Sequence, residues 1–157
     1  MPILSQLMYG LVSLATRNGL APMNAIPDAD APAKKRALRT GIRGETYAYW
    51  YLRHKGYVFI ARNYTAPGIK GEIDLVGYDG PVLAFVEVKT RAYNRESSVK
   101  PEDAVTADKR RNLSRMARHF LSARRMAKTQ WRFDILAIES RPKHKPIVRL
   151  HKGAFVA

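Results

Sequence analysis

Apolar residues recur at three- and four-residue steps near the start of the chain: Ile3, Leu4, Leu7, Met8, Leu11, Leu14 and Ala15 share one side of a helix. This stripe predicts an N-terminal helix over 1–20 that packs its apolar side on the rest of the chain. "APMNAIPDADAPAKK" (21–35), with its prolines and small residues, reads as a linker. The helical period returns from Arg36 to Lys55, with Leu38, Ile42, Tyr49 and Leu52 on one stripe, and Gly56 closes it. The period then shortens to two. "YVFIARNY" (57–64), residues 72–78 and residues 82–89 predict three strands, the last two joined through "DGP". A polar loop leads to Pro101, which suits a helix start, and the helical pattern runs from about 102 to 127. "WRFDILAIES" (131–140) and "PIVRLHKGAF" (146–155) predict two more strands.

The order α-βββ-α-ββ predicts an α/β domain over 36–157, with a central mixed sheet of about five strands flanked by helices. The 157 residues suit one domain, large enough to bury a core without disulfides, and cysteine is absent. That absence excludes thiol catalysis and thiolate metal sites and fits a reducing, cytoplasmic setting. No stretch is long and apolar enough to span a membrane. The N-terminal stretch lacks the basic region of a signal peptide, and Arg17 as its only basic residue argues against binding anionic lipid.

Alternation along the strands singles out an unusual group. Ile73 and Leu75 fall on one face of the second strand, Glu72, Asp74 and Val76 on the other. In the third strand Glu87 and Lys89 share a face after the apolar run "VLAFV", which suggests a strand covered on both sides. The hairpin brings Asp74 and Glu87 to the same end of the sheet. Glu45 lies within the apolar stripe of the first long helix, and Lys109 shares an arc with Leu113, Met116 and Phe120. Buried charge is costly unless paired or bound to metal. Carboxylates gathered without cysteine or a suitable histidine pair suit a hard cation, Mg²⁺ or Mn²⁺. The bland alternative is a solvated face carrying a cross-strand ion pair.

Charge adds a partner. The net charge is +15, and it is unevenly spread: +6 over 34–56, zero over 57–98, +6 over 99–128, and five Lys/Arg without an acid over 141–152. A neutral middle between basic flanks suits a polyanion, nucleic acid above all. Arg111, Arg115, Arg118 and Arg125 fall on one arc of the second long helix, opposite its apolar side. Arg43, with Lys34, Lys35, Arg36 and Arg39, forms a further patch, and Arg91 follows the Glu87–Lys89 pair. Such residues position a phosphate backbone and do not read bases. His54, His119, His144 and His151 make no metal motif, and Tyr47, Tyr49, Trp50, Tyr51 and Tyr57 read as packing residues.

Asp74, followed after twelve intervening residues by Glu87-Val88-Lys89, resembles the PD-(D/E)xK signature of restriction-endonuclease-like nucleases, with Ile73 where many of them carry proline. The ordered segments "GIRGETYAYWYLRHKGY", "RNY", "GEIDLVGYD", "FVEVKTR", "DAVTADKRRNL" and "RFDILAIE", over about 40–140, resemble the bacterial YraN-like family of uncharacterised proteins. That resemblance implies the nuclease fold, similar to archaeal Holliday-junction resolvases. It implies Asp74 and Glu87 as metal ligands with the Val88 carbonyl as a third, Lys89 as the catalytic lysine, and Glu45 as a helix-borne acid beside the metal. Glu72 and Lys109 are further site residues by the same likeness. The expectation is a metal-dependent endonuclease or nuclease-like protein acting on DNA, branched or otherwise structured, with a homodimer by analogy. Two other readings stand beside it: a basic nucleic-acid-binding module without catalysis, and an interaction protein working through its N-terminal helix.

Overall fold

The computed structural model describes residues 2–17, 33–94, 103, 105–141 and 144–156; the side chains described exclude those of 2, 16, 17, 33–40 and 42. Most of the linker, Pro101 and Lys143 therefore lie outside the described residues, and the side chains of the Lys34–Arg39 patch, Leu38 and Ile42 lie outside the described side chains. The order is α1 (Pro2–Arg17), α2 (Ala33–His54), β1 (Val58–Tyr64), β2 (Ile73–Asp79), β3 (Val82–Ala92), α3 (Ala107–Ala123), β4 (Trp131–Ser140) and β5 (Ile147–Phe155). The strands form one mixed sheet in the order β1-β2-β3-β4-β5. Neighbours are antiparallel except β3 and β4, which run parallel from Leu83↔Trp131 to Ala92↔Ser140. A parallel pair needs a crossover connection, and α3 is that crossover.

Two apolar layers sandwich the sheet. Leu113, Met116, Ala117, Phe120 and Leu121 of α3 pack on Val76, Leu83, Phe85, Phe133 and Ile135. On the other face Tyr47, Ala48 and Leu52 of α2 pack on Leu75, Ala84, Val86, Val88, Leu136 and Ile138. Both faces of β3 are covered, which is why its apolar run is nearly continuous.

Two elements differ from expectation. The apolar stripe of α1 faces solvent: Ile3, Leu4, Leu7, Leu11 and Leu14 are all more than half exposed. The helix instead meets α2 through Tyr9, which lies against the rings of Tyr47, Tyr51 and His54, with Val12 in the same cluster and Ser5 buried. A cleft of rings on α2 accepts an aromatic side chain better than a row of leucines, so ring packing decides which side of α1 turns inward. The second long helix is also shorter than its periodicity suggests. Arg124 caps it, Arg125 takes a left-handed φ of 56°, and the Arg125 and Met126 amides donate to the Ser122 and Leu121 carbonyls. This is a Schellman stop with arginine where glycine is usual. Arg125 thus lies beyond the helix and off the arc of Arg111, Arg115 and Arg118.

Gly44 sets how closely α2 approaches the sheet. A Cβ there would stand 2.7 Å from the Cβ of Thr90, which β3 holds in place. In Gly44→Ala the gain in helix propensity, about 0.5–1 kcal/mol, is smaller than the roughly 1–3 kcal/mol cost of overpacking against a strand. The substitution should lower the thermal midpoint by several degrees; a midpoint at or above wild type would show that α2 can lift away freely.

Candidate functional site

The site begins where two strands part. Leu75↔Val86 is the last registered pair between β2 and β3 on the side of Asp74. Past it, the Val88 amide donates to Asp74 Oδ2 at 2.6 Å, so a side chain takes the place of the ladder's next backbone partner. Ile73 then turns into the α3-side cluster while Leu75 stays in the α2-side cluster. Simple alternation had put these two on one face; the splay of β2 from β3 separates them.

Asp74 and Glu87 are both buried at this fork, 8% and 3% exposed. Glu87 Oε1 receives two ammoniums: Lys89 from its own strand at 2.7 Å and Lys109 from α3 at 3.3 Å. Lys109 Nζ also donates to the Glu72 carbonyl at 3.3 Å, so Glu72 joins the site through its backbone. Thr106 caps α3 by accepting from the Lys109 amide, which fixes the helix start from which Lys109 reaches inward. The Oε2 atom of Glu87 is buried without a hydrogen-bond partner, and so is Nε of half-buried Arg91, two residues beyond Lys89 on the same face.

Burial pushes the Asp74 carboxyl up to about 7, with the neighbouring Glu87 charge as the next cause; Glu45 pushes the same way, while the Val88 amide and Lys109 oppose. Asp74 therefore feels both of the other acids, as the sequence spacing implied. Glu45 is held by a residue that sequence reasoning passed over. Asn63 adopts φ 47°, and its Nδ2 donates to Glu45 Oε2 at 3.1 Å. It lies between Arg62↔Leu75 and Tyr64↔Ile73, level with Asp74 on the adjacent strand. Asparagine tolerates left-handed backbone better than other side-chain-bearing residues, so the one signal in the sequence was an asparagine inside an otherwise β-forming run.

The residues fit a divalent cation in part. Two buried carboxylates, one with an unsatisfied oxygen, and the nearby Val88 backbone make the kind of donor set that magnesium completes with water and phosphate oxygens. Among the described residues no three acid or imidazole side chains stand as a closed metal cage.

The basic residues are dispersed. On α3, Arg111, Arg115 and Arg118 are exposed, and Asp108 pairs with Arg111, so the arc is not free of acid. An exposed pair of this sort contributes little. Arg43 is exposed on α2, in the turn before Glu45. His119 bonds to the Tyr64 hydroxyl at 2.6 Å, and His54 stacks on Tyr9.

The fold and fork thus define a mixed α/β domain with a lysine-flanked acidic pair at the parting of its central strands. Comparison with known proteins gives the family. Residues 44–138 match the uncharacterised protein family UPF0102. A UPF0102 protein of Koribacter versatilis is 42% identical over 133 residues, covering 83% of this chain and 87% of its own. Another from Symbiobacterium thermophilum is 42% identical over 119 residues, covering 76% and 98%; one from Solibacter usitatus is 43% identical over 117, covering 71% and 82%. The chain belongs to this family, the YraN-like proteins. The matched residues contain Glu45, Asn63, Asp74, Glu87, Lys89 and Lys109, while α1 lies outside them.

The raised Asp74 value has a consequence for stability. Between about pH 4 and 7 the folded chain holds a proton that the unfolded chain has released. That contribution is fully present below the ordinary aspartate range and is lost as pH climbs through about 7. Asp74→Asn should therefore raise the thermal midpoint at pH 8 in chelator by a few degrees, about 1–3 kcal/mol, and the gain should shrink at pH 5. An equal gain at both pH values would contradict the assignment.

Proposed function

We propose that the protein is a metal-dependent phosphodiesterase, an endonuclease acting on DNA, with branched or structured DNA as the substrate class. The observation that carries this reading is the fork itself: two buried carboxylates, an orphaned Glu87 oxygen and two lysines within reach of one another. The family's description adds no activity to it, and fold likeness alone would not suffice.

In this reading Asp74 and Glu87 hold a Mg²⁺ or Mn²⁺ ion, with the Val88 carbonyl as a third donor. When bound, the ion polarises a phosphodiester oxygen and lowers the pKa of water. The chain's own groups do the rest. Lys89 stands two residues past Glu87 on the same face, placed to orient the attacking water and meet negative charge growing on the phosphorus centre. Lys109, shared between Glu87 Oε1 and the Glu72 carbonyl, would be the group to contact a phosphate oxygen. Arg91 offers its unpartnered Nε to the same kind of group. Glu45, anchored by Asn63, would hold water near such an ion. Arg43, Arg111, Arg115 and Arg118 hold the strand backbone without reading bases. By analogy with resolvases, a two-fold substrate calls for a homodimer.

A second reading has its own support. Both lysines already neutralise Glu87 Oε1, which suits a basic DNA-binding module whose buried charges are structural.

Junction, flap, single-stranded and duplex DNA incubated with Mn²⁺ or Mg²⁺ separate the two. Asp74→Ala and Lys89→Ala should each reduce cleavage by about 10³-fold or more, while binding stays within about threefold because the phosphate contacts remain. Asn63→Gly, which keeps the left-handed backbone accessible, should cost about tenfold in cleavage. Binding without cleavage in every metal would favour the module; cleavage that survives both alanine variants would place the chemistry elsewhere. Log K should fall with log salt by about 0.9 per phosphate contacted on duplex DNA.

A further inference from the structure

At the other end of β2 lies a second cluster of charge that the fork does not use. Asp134 is completely buried, yet it is surrounded by donors. Arg132 Nε and the Gly153 amide reach Oδ1 at 2.8 and 3.0 Å, and the Tyr57 hydroxyl donates to Oδ2 at 3.1 Å. Arg132 extends to Asp79 at 2.5 Å, and Lys152 meets the same Asp79 oxygen at 2.6 Å. Hydrogen bonds from Lys152 and then Arg132 hold the Asp79 carboxyl below the usual range, whereas burial and the nearby Asp134 charge raise the Tyr57 hydroxyl. The network is satisfied internally, so it is rigid.

Its outer edge borders an open surface depression of about 500 Å³ lined by Tyr51, Lys55, Tyr57, Leu150 and Lys152. Two ammoniums are set in place at this rim: Lys55 over the Tyr51 ring at 5.2 Å and Lys152 over the Tyr57 ring at 5.6 Å. Three cations (Lys55, Lys152, Arg132) face two acids (Asp79, Asp134), leaving one positive charge in excess. Lysines already resting on rings lose less freedom when an anion arrives. The lining mixes the two ammoniums with Leu150 and the half-buried Tyr51 ring, and the depression, open to solvent, has a volume in the range of small-ligand sites, larger than a bare phosphate needs.

The geometry points to a binding site for a nucleoside phosphate, its phosphate between the Lys55 and Lys152 ammoniums and its base against half-buried Tyr51 and Leu150, while buried Tyr57 only backs Lys152. The site is separate from the fork: Asp79 and Asp74 are five residues apart on β2, roughly 17 Å at strand rise. The nucleotide is either free or the terminal unit of a single strand; the two share this chemistry.

The test uses the full chain, titrated with adenosine 5′-monophosphate, adenosine, inorganic phosphate and a 5′-phosphorylated thymidine tetranucleotide. Calorimetry gives affinities, and amide chemical shifts give location. The monophosphate should bind with a Kd of roughly 0.1–1 mM, at least about tenfold tighter than adenosine or phosphate alone, and shift the amides of Tyr51, Lys55 and Leu150. Tighter binding of the tetranucleotide assigns the pocket to a strand end, tighter binding of the monophosphate to a free nucleotide; either supports the site. Lys55→Gln, which leaves the Asp79–Arg132–Asp134 network untouched, should weaken the monophosphate by about tenfold, and Asp74→Asn should not weaken it. Phosphate binding as tightly as the monophosphate, Lys55→Gln binding as wild type does, or shifts confined to other residues would each overturn the proposal.

Discussion

The structure turns on one substitution of hydrogen-bond partner: at the point where β2 leaves β3, the Val88 amide bonds to the Asp74 carboxylate and not to a strand carbonyl. A buried amide must find an acceptor, and here it finds a charged one. That choice lets β2 diverge, sends Ile73 to the α3 layer, and opens the space in which Glu87, Lys89 and Lys109 meet. It also keeps an acid in a place where burial and a neighbouring acid disfavour its charge. The sheet and its two apolar layers supply the rigidity that holds this arrangement against its own electrostatic cost.

Much of this was legible in the sequence because it follows from short periods. Alternation placed Glu87 and Lys89 together, the hairpin brought Asp74 level with Glu87, and helical spacing turned Lys109 inward with Leu113, Met116 and Phe120. What was not legible depends on partners far along the chain or on backbone angles that side-chain type does not announce. The stripe on α1 was visible, but which side would face α2 depended on the rings of Tyr47, Tyr51 and His54 meeting Tyr9. Arg125 ended α3 in a left-handed conformation without the glycine that usually marks such a stop. Asn63 joined the site through a bond to a residue eighteen positions earlier.

The two charged clusters are built on different principles. At the fork, acceptors and donors are left over, as Glu87 Oε2 and Arg91 Nε show. Around Asp134 both carboxylate oxygens are met by donors, from Arg132 on its own strand and from two residues far along the chain: Tyr57 just before β1 and Gly153 in β5. Leftover polar capacity is what a reacting or binding centre needs, whereas a closed network ties an edge of the sheet together and fixes whatever side chains project from it.

The outward stripe of α1 has a colloidal consequence. A chain with a net charge of +15 repels its copies, and that repulsion shields five aliphatic side chains that nothing else covers among the described residues. Added electrolyte shortens the reach of the charge without weakening apolar attraction. Raising the salt concentration therefore favours contact between copies through the leucines of α1.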